Sequence, residues 1–272
     1  MPSPEQLSFA TISCVTMPGA DGTPALVPHP VERLVPAVAA AGFARIGLDW
    51  FTVRDAERAG TDLARLLADH GLVTTELCAM GIGEDPAADE RVARSMARRC
   101  EQLGVPVCVL ASTPPVSPDL CARVAAIAEV FAAAGTRVGI EFMPFSGVRT
   151  LADAVVLREQ VGVGIVLDTL HLLRSGCAPA ELDALAADDI ACVQLADGSP
   201  EPERPLAEES RVARLLPGAG AADIAGYAAA LDRIGYTGPL SIEVLSATLR
   251  TRPPEDLTAA FRAACLPYVT DG

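Results

Sequence analysis

Short apolar runs alternate with longer, Ala-rich amphipathic runs along the whole chain. The short runs predict strands near 7–14, 44–49, 72–78, 106–111, 137–142, 163–168, 190–196 and 239–245. The longer runs predict helices near 30–41, 54–69, 86–103, 118–134, 151–160, 179–187, 221–234 and 254–265. Eight strand–helix units in 272 residues are typical of a single (β/α)8 barrel, the TIM barrel.

Domain organisation follows from the same pattern. No long linker or low-complexity tract interrupts the alternation, so we expect one domain over residues 1–272. The alternative is a doubly wound open sheet, which needs a Gly-rich phosphate loop after an early strand. The stretch after the third predicted strand offers only Gly81 and Gly83, which is a weak signal. The barrel is therefore the favoured fold.

Four polar side chains close four consecutive late strands that are otherwise apolar. They are Glu141, Asp168, Gln194 and Glu243. Barrel strands alternate between facing the lumen and facing the helices, and the phase that turns these four inward leaves small or neutral residues below them. The carboxyl ends of parallel strands share one rim, where barrel enzymes keep their active sites. We therefore expect the four side chains to converge.

Three carboxylates gathered at one place would repel one another unless a cation held them. A donor set of three carboxylates and one amide carbonyl is all oxygen. Hard oxygen ligands favour Mn²⁺ or Mg²⁺, with Co²⁺ as a further candidate. A single carboxylate at a strand end more often caps the next helix. The four residues in matching phase nevertheless predict a divalent metal site at Glu141, Asp168, Gln194 and Glu243.

Such a site has a definite chemistry. Four protein ligands in an octahedral shell leave two positions, which a vicinal hydroxy-ketone fills as a chelate. The metal would polarise the carbonyl and stabilise an enediolate formed by removal of the neighbouring proton. Glu141 and Glu243 are predicted to act as the acid/base pair that removes and returns this proton.

Further residues are predicted to contact the substrate. Arg211 and Arg214 lie in the long loop after the seventh strand. Asp49 and Glu76 lie near the ends of the second and third predicted strands, and Trp50 directly follows Asp49. For the arginines, the alternative is a solvated pairing with neighbouring glutamates. For the others, the alternatives are hydrogen bonding within the barrel mouth and helix packing.

Composition excludes several classes of protein. The net charge of −14 disfavours nucleic acid and anionic membrane surfaces as partners. All 21 basic residues are arginine, which rules out Schiff-base chemistry and a P-loop lysine. Eight scattered cysteines without a C-x-x-C pair fit a reducing compartment. With neither a secretory signal nor a membrane-spanning run, we expect a cytoplasmic protein.

From about residue 137 onward, the chain resembles the xylose-isomerase-like barrel superfamily of sugar isomerases, epimerases and related dehydratases. The matching stretches are GIEFMPF, VLDTLH, VQLADG, LLPGAG and GYTGPLSIEV, in that order. The resemblance implies a divalent cation at the four strand-end residues. Its Asp-x-x-His pattern implies that His171 touches a substrate oxygen or assists proton transfer. Barrels of this type often dimerise, so a homodimer is a candidate assembly.

The leading hypothesis is a metal-dependent isomerase or epimerase of a keto-sugar, polyol or small hydroxy-keto acid. A lyase that dehydrates an inosose or dehydroshikimate is the alternative. Many tagatose-epimerase-type members have His at the seventh-strand position, whereas Gln194 is similar to hydroxypyruvate-isomerase-like and dehydroshikimate-dehydratase-like members. Some dehydratases of this group have His where this chain has Met143, which weakens the lyase hypothesis. Endonuclease-like cleavage needs a His-rich metal cluster and a basic groove, which an acidic chain with three histidines lacks. A non-catalytic sugar-binding barrel is the remaining class.

Overall fold

Eight parallel strands close into a barrel in sequence order in the computed structural model, which describes residues 1–19 and 22–270. They are β1 (Leu7–Ala10), β2 (Arg45–Asp49), β3 (Val73–Ile82), β4 (Val107–Ser112), β5 (Arg137–Glu141), β6 (Gly164–Asp168), β7 (Ile190–Leu195) and β8 (Leu240–Ile242). β8 pairs with β1 and completes the ring. The predicted (β/α)8 fold is confirmed, with every predicted strand present.

Helices lie between the strands and form the outer layer. They are α1 (Val31–Ala40), α2 (Trp50–Ala59), α3 (Leu63–Asp69), α4 (Pro86–Leu103), α5 (Pro118–Ala132), α6 (Leu151–Val161), α7 (Thr169–Ser175), α8 (Leu206–Val212), α9 (Ile224–Arg233) and α10 (Pro254–Cys265). Within the described ranges, none is both long and apolar enough to cross a bilayer.

Two helical predictions need correction, and two short helices were not predicted. The run 54–69 is two helices, because Gly60 ends α2 with a left-handed φ of 76° and the side chain of Asp62 caps α3. The run 179–187 contains the 3₁₀ helix Pro179–Ala184 rather than an α-helix. Neither α7 nor α8 was predicted, since seven residues are too few to show a helical period.

The main core lies between the strands and the helices. Phe9 of β1 is fully buried and packs against Phe43 and Phe261, with ring centroids 5.9 and 5.4 Å away. Phe261 belongs to α10, which also contacts α1. The last helix therefore covers the seam where β8 meets β1 and ties the two ends of the chain together.

The lower lumen is filled by small residues. A second apolar cluster, separate from the helix-facing core, comprises Cys78, Val107, Val109, Val166, Ala191 and Cys192. A methyl group built on Gly139 would approach Ala191 Cβ to 2.8 Å, and one on Gly164 would approach it to 2.6 Å. Glycine is therefore required there by the narrowness of the barrel, and the upper half is left for polar side chains.

One strand departs from the predicted phase. The register of β2 and β3 shifts so that Thr75 and Glu76 lie opposite the single residue Gly47. Thr74 instead donates its hydroxyl to the carbonyl of Leu103 at the end of α4, outside the barrel. Thr74 therefore faces the helices, while Glu76 points into the lumen, where the hydroxyl of Ser241 donates to it.

Candidate active site

A cavity of about 250 Å³ lies at the carboxyl end of the strands. Glu141, Gln194 and Glu243 line it, at the ends of β5, β7 and β8, and Asp168 is fully buried beside them. Larger grooves of about 510 and 840 Å³ run along the outer helices. Neither gathers these strand-end side chains, so the mouth of the barrel is the candidate site.

The short helix α7 starts directly at a strand-end carboxylate. Asp168 is the last residue of β6, and its Oδ1 accepts hydrogen bonds from the backbone N–H groups of Leu170 (2.8 Å) and His171 (3.3 Å). This N-cap fixes the first turn of α7 over the lumen. The Asp-x-x-His spacing therefore brings the imidazole of His171 back to the carboxylate that caps the helix.

Three buried side chains come together closely enough to hold one ion. Ligand atoms of Glu141, Asp168 and His171 all lie within 4.8 Å of one another. Nε2 of His171 lies 3.4 Å from Glu141 Oε1 and 4.0 Å from Asp168 Oδ2. Neither ring nitrogen has a hydrogen-bond partner among the described residues. Buried polar atoms are rarely left unpaired, so a cation or a substrate oxygen fits this position.

Gln194 presents its carbonyl oxygen in the same way. Its amide nitrogen donates to Glu243 Oε2 and to Cys78 Sγ, the latter at 3.5 Å. Its Oε1 is buried and has no hydrogen-bond partner among residues 1–19 and 22–270. The free atom is thus the oxygen that the sequence predicted as a metal ligand. The donor set fits a divalent cation in its chemistry: carboxylate oxygens, an amide oxygen and an imidazole nitrogen.

Arg214 lies inside this cluster rather than at its rim. Its Nη1 donates to Asp168 Oδ2 at 2.5 Å, and its Nη2 lies 3.4 Å from Glu243 Oε1. Only 3% of the residue is exposed, although it borders the cavity. The guanidinium neutralises two of the predicted metal ligands, a role that the sequence did not suggest. Its predicted contact with substrate stays a prediction.

The two carboxylates beside Arg214 have different pKa shifts. Burial raises the pKa of Glu243 well above its usual value; Arg214 opposes the shift and Glu141 adds to it by repulsion. Burial by itself would also raise the pKa of Asp168. The attraction of Arg214 and His171, with the hydrogen bonds that they donate, outweighs the effect of burial, so the pKa of Asp168 is lowered. Of these two carboxyl groups, Glu243 therefore binds a proton more readily and Asp168 is ionised more readily.

Three of the predicted substrate contacts do not border the cavity. Both oxygens of Asp49 are engaged, since Oδ1 caps α2 and Oδ2 accepts from Thr11 Oγ1 at 2.6 Å. Trp50 packs its ring beneath Arg99 of α4, 4.8 Å from the centroid, on the outer side. In the structure, Asp49 caps α2 and Trp50 packs against α4, and their predicted contacts with substrate stay predictions. Glu76 is buried in the lumen and accepts from Ser241.

Most of the apolar wall residues of the cavity were not predicted from the sequence. They include Ile12, Met17, Phe51, Met143, Phe145 and Leu245. The ring of Phe145 meets that of His171 edge-on, with centroids 5.6 Å apart. Met143 and Phe145 lie two and four residues after Glu141, in the GIEFMPF stretch. Their position just beyond a functional strand end was the available signal.

Asp197 anchors the loop that carries Arg214. Its two oxygens accept hydrogen bonds from the backbone N–H groups of Gly198, Gly218, Gly220 and Ala222, at 2.8 to 3.0 Å. A backbone bridge also joins Asp197 to Leu215, next to Arg214. The VQLADG and LLPGAG stretches are thus two halves of one structure that holds the guanidinium in place.

A closed parallel barrel with acidic and imidazole groups gathered at its carboxyl end places the chain among the TIM barrels. Within that class, the chain belongs to the xylose isomerase-like TIM barrel family, whose model matches residues 35–264. The resemblance inferred from the motifs is thereby confirmed. Its relatives include proteins named as dehydratases, isomerases and epimerases.

Two relatives illustrate the range. The chain is 30% identical over 265 residues to 3-dehydroshikimate dehydratase of Pseudomonas aeruginosa. The alignment covers 91% of this chain and 39% of that protein. It therefore spans about two fifths of the length of this relative. A solved structure of the IOLI protein with a bound zinc atom superposes with a TM-score of 0.82 at 18% identity, covering 97% of both chains. At that identity, the likeness shows the fold alone.

Proposed function

We propose that this protein is a divalent-metal-dependent isomerase or epimerase that moves a proton beside the carbonyl of a small hydroxy-keto substrate. The observation that carries the proposal is the convergence of Glu141, Asp168, Gln194, Glu243 and His171 at the barrel mouth, with buried atoms left unpaired. A barrel of the same fold has been solved with a bound zinc atom, so this fold can hold a divalent cation.

Glu141, Asp168 and His171 would hold the cation, since their ligand atoms all lie within 4.8 Å of one another. Gln194 and Glu243, which line the same cavity, would complete the set of ligands predicted from the sequence. Mn²⁺ and Mg²⁺ are the ions that suit this oxygen-rich donor set, with Co²⁺ also suitable. When bound, such an ion supplies Lewis-acid polarisation of a substrate carbonyl. Its charge would also replace part of the neutralisation that Arg214 now provides.

Proton transfer would fall to the two glutamates. Glu141 ends β5 and Glu243 directly follows β8, with β6 and β7 between these strands, so the two side chains reach the cavity from different sides. One carboxylate removes the proton next to the carbonyl, and the electron pair moves onto the carbonyl oxygen to give an enediolate. The other carboxyl group returns a proton to the same carbon or to the neighbouring one.

His171 would orient the substrate. Its ring is 1% exposed and is held between the cap of α7 and the edge of Phe145. A ring nitrogen with no protein partner can bond a substrate hydroxyl or carbonyl oxygen. The imidazole lies next to Glu141, so it would bind the oxygen of the carbon at which Glu141 acts.

Dehydration in the same site is the second candidate. It is favoured by the 30% identity to 3-dehydroshikimate dehydratase across nearly the whole chain. The same enediolate would re-form the carbonyl and expel its β-hydroxyl, which would leave as water with the proton that the glutamate base had removed, instead of taking that proton up at carbon. Met143 stands where some dehydratases of the group have His, and in this cavity it supplies an apolar wall with no acid to protonate the leaving hydroxyl.

One experiment separates these outcomes. The protein is stripped with chelator, reloaded with Mn²⁺ and incubated with keto-sugars, an inosose and 3-dehydroshikimate, and the products are analysed by mass and ultraviolet absorbance. Isomerisation leaves the mass unchanged, whereas dehydration removes one water and creates conjugation. Turnover that is indifferent to chelator and Mn²⁺ would refute the metal-dependent proposal.

The first prediction concerns Glu243. We expect Glu243→Gln to lower kcat by at least about a thousandfold, because a catalytic acid/base group is lost together with a metal ligand. Circular dichroism should be unchanged. Glu101→Gln, at an exposed position of α4, is the matched control and should keep full activity. Near-normal turnover of Glu243→Gln would contradict the two-glutamate mechanism.

A further inference from the structure

The polar and apolar surfaces of the cavity are sharply divided. Its floor carries Glu141, Gln194, Glu243 and Arg214. Its walls are apolar, with Ile12, Met17, Phe51, Met143, Phe145 and Leu245. A polyhydroxylated sugar would press several hydroxyl groups against these walls without hydrogen-bond partners, which costs free energy. The walls fit a substrate whose body has few hydroxyls.

A single charged side chain stands apart from the floor. Arg211 borders the cavity and is exposed. No side-chain hydrogen bond or ion pair joins its guanidinium to any residue that the structure describes. Its backbone is fixed, because its carbonyl accepts a hydrogen bond from Arg250 Nη2 at 2.7 Å. A fixed backbone with a free guanidinium is suited to meet an incoming ligand.

The acidic neighbours of Arg211 are already paired with other arginines. Glu208 accepts from Arg204 Nη1 at 2.7 Å. Glu209 is buried and held by Arg174, with a 2.7 Å bond from Nε to its Oε2. The solvated pairing expected for Arg211 from the sequence is therefore absent from the described part of the chain. Its charge remains available to a ligand in the cavity.

The net charge of the cavity floor also favours Arg211 as the residue that binds an anionic group. Three carboxylates and the Arg214 guanidinium leave it negative, and a divalent cation would bring it to neutrality. An anionic group of the substrate would then be neither attracted nor repelled strongly by the floor. Arg211 would be the side chain that recognises it, since guanidinium groups bind carboxylates with paired hydrogen bonds.

We propose that the substrate is a small hydroxy-keto acid with an apolar body, whose carboxylate is bound by Arg211 while its hydroxy-keto end meets the floor. The inference rests on the proposed function and narrows its substrate class. It excludes neutral ketoses and polyols as the preferred substrates. The cavity of about 250 Å³ also matches a compound of this modest size.

The test uses equilibrium binding of unreactive probes, so it does not depend on turnover. 3,4-Dihydroxybenzoate carries vicinal hydroxyls at one end of a flat apolar ring and a carboxylate at the other, and 3,4-dihydroxybenzamide is its neutral partner. Both are titrated calorimetrically into the Mn²⁺-loaded protein. We expect the benzoate to bind on the order of tenfold more tightly than the amide.

The Arg211→Gln variant should remove this preference by weakening the benzoate about tenfold while the affinity for the amide stays the same. Arg98→Gln, at an exposed position of α4, is the control and should keep the preference. Equal affinities in the wild type, a preference that survives Arg211→Gln, or failure of the benzoate to bind would each overturn the proposal. A carboxylate preference without metal-dependent turnover would refute the proposed function alone.

Discussion

At the scale of single residues, the site is a balance of buried charges. Asp168 and Glu243 share Arg214, yet their pKa values shift in opposite directions. Asp168 receives a direct 2.5 Å hydrogen bond from the guanidinium, while Glu243 lies 3.4 Å from it. The closer contact with Arg214 and the attraction of His171 lower the pKa of Asp168, whereas burial and repulsion by Glu141 raise that of Glu243.

A prediction at this scale concerns Arg214→Gln. Removing the countercharge leaves two buried carboxylates unpaired, so the metal-free variant should lose on the order of 3 kcal/mol of unfolding free energy. Mn²⁺ would supply the missing charge. We therefore expect Mn²⁺ to raise the Tm of this variant more than that of the wild type, as measured by thermal melts with Mn²⁺ and with chelator.

The control for this prediction is a surface arginine. Arg204→Gln removes an exposed ion pair with Glu208 and should cost no more than about 1 kcal/mol. It should leave the Mn²⁺-induced shift of Tm unchanged. A smaller Mn²⁺ shift in Arg214→Gln than in the wild type would show that the guanidinium supports cation binding rather than substituting for the cation.

At the scale of elements, a carboxylate at a strand end has two uses. Asp49 and Asp168 end β2 and β6, and each caps the helix that follows. The second oxygen of Asp49 is bound by the hydroxyl of Thr11, whereas that of Asp168 faces Arg214 and His171. Capping fixes both side chains, and the neighbour of the second oxygen decides which one belongs to the site.

The prediction for Asp49 separates capping from charge. Asp49→Ala removes the cap of α2 and should cost about 1–2 kcal/mol, whereas Asp49→Asn keeps an acceptor for the helix and should cost less. Burial raises the pKa of Asp49 above its unfolded value. The folded state therefore holds the proton more tightly, and the stability that Asp49 contributes in acid is lost as pH rises through the folded pKa.

Urea denaturation at about pH 4 and about pH 7 tests this prediction. Relative to Asp49→Asn, which cannot ionise, the wild type should lose stability between the two values. A difference between the two proteins that does not change with pH would indicate that the carboxyl group has the same pKa in the folded and unfolded states.

At the scale of the whole molecule, closure of the barrel depends on its narrow lower lumen. Gly139→Ala would place a methyl group 2.8 Å from both Ala191 Cβ and Val166 Cγ2. We expect a loss of about 1–3 kcal/mol of unfolding free energy from overpacking, measured by urea denaturation. Gly81→Ala in β3, where a methyl group meets nothing within 4 Å, is the control. Equal stability of the two variants would show that the lumen can expand.

The family assignment also belongs to this scale. It rests on a match over residues 35–264 and a barrel that closes in sequence order. The proposed enzyme activity rests instead on a few side chains at one end of that barrel. The homodimer and the cytoplasmic location expected from the sequence stay predictions.

The sequence by itself determined the eight strand–helix units and the four polar strand ends. Both are local patterns, since burial on a sheet or helix face imposes a period that can be read along the chain. The same patterns predicted which residue of β5 and of β8 would face the lumen, and Glu141 and Glu243 both border the cavity.

Only the tertiary structure decided how these side chains are paired. The partner of Asp168 is Arg214, 46 residues away, and the bulge that turns Glu76 inward depends on the pairing of β3 with β2. The tertiary structure also showed that Arg214 is buried among carboxylates, whereas Arg211 is exposed at the edge of the cavity. Such contacts join segments that are distant in the sequence and follow no sequence period. Each depends on which side chains the folded barrel places next to a buried charge.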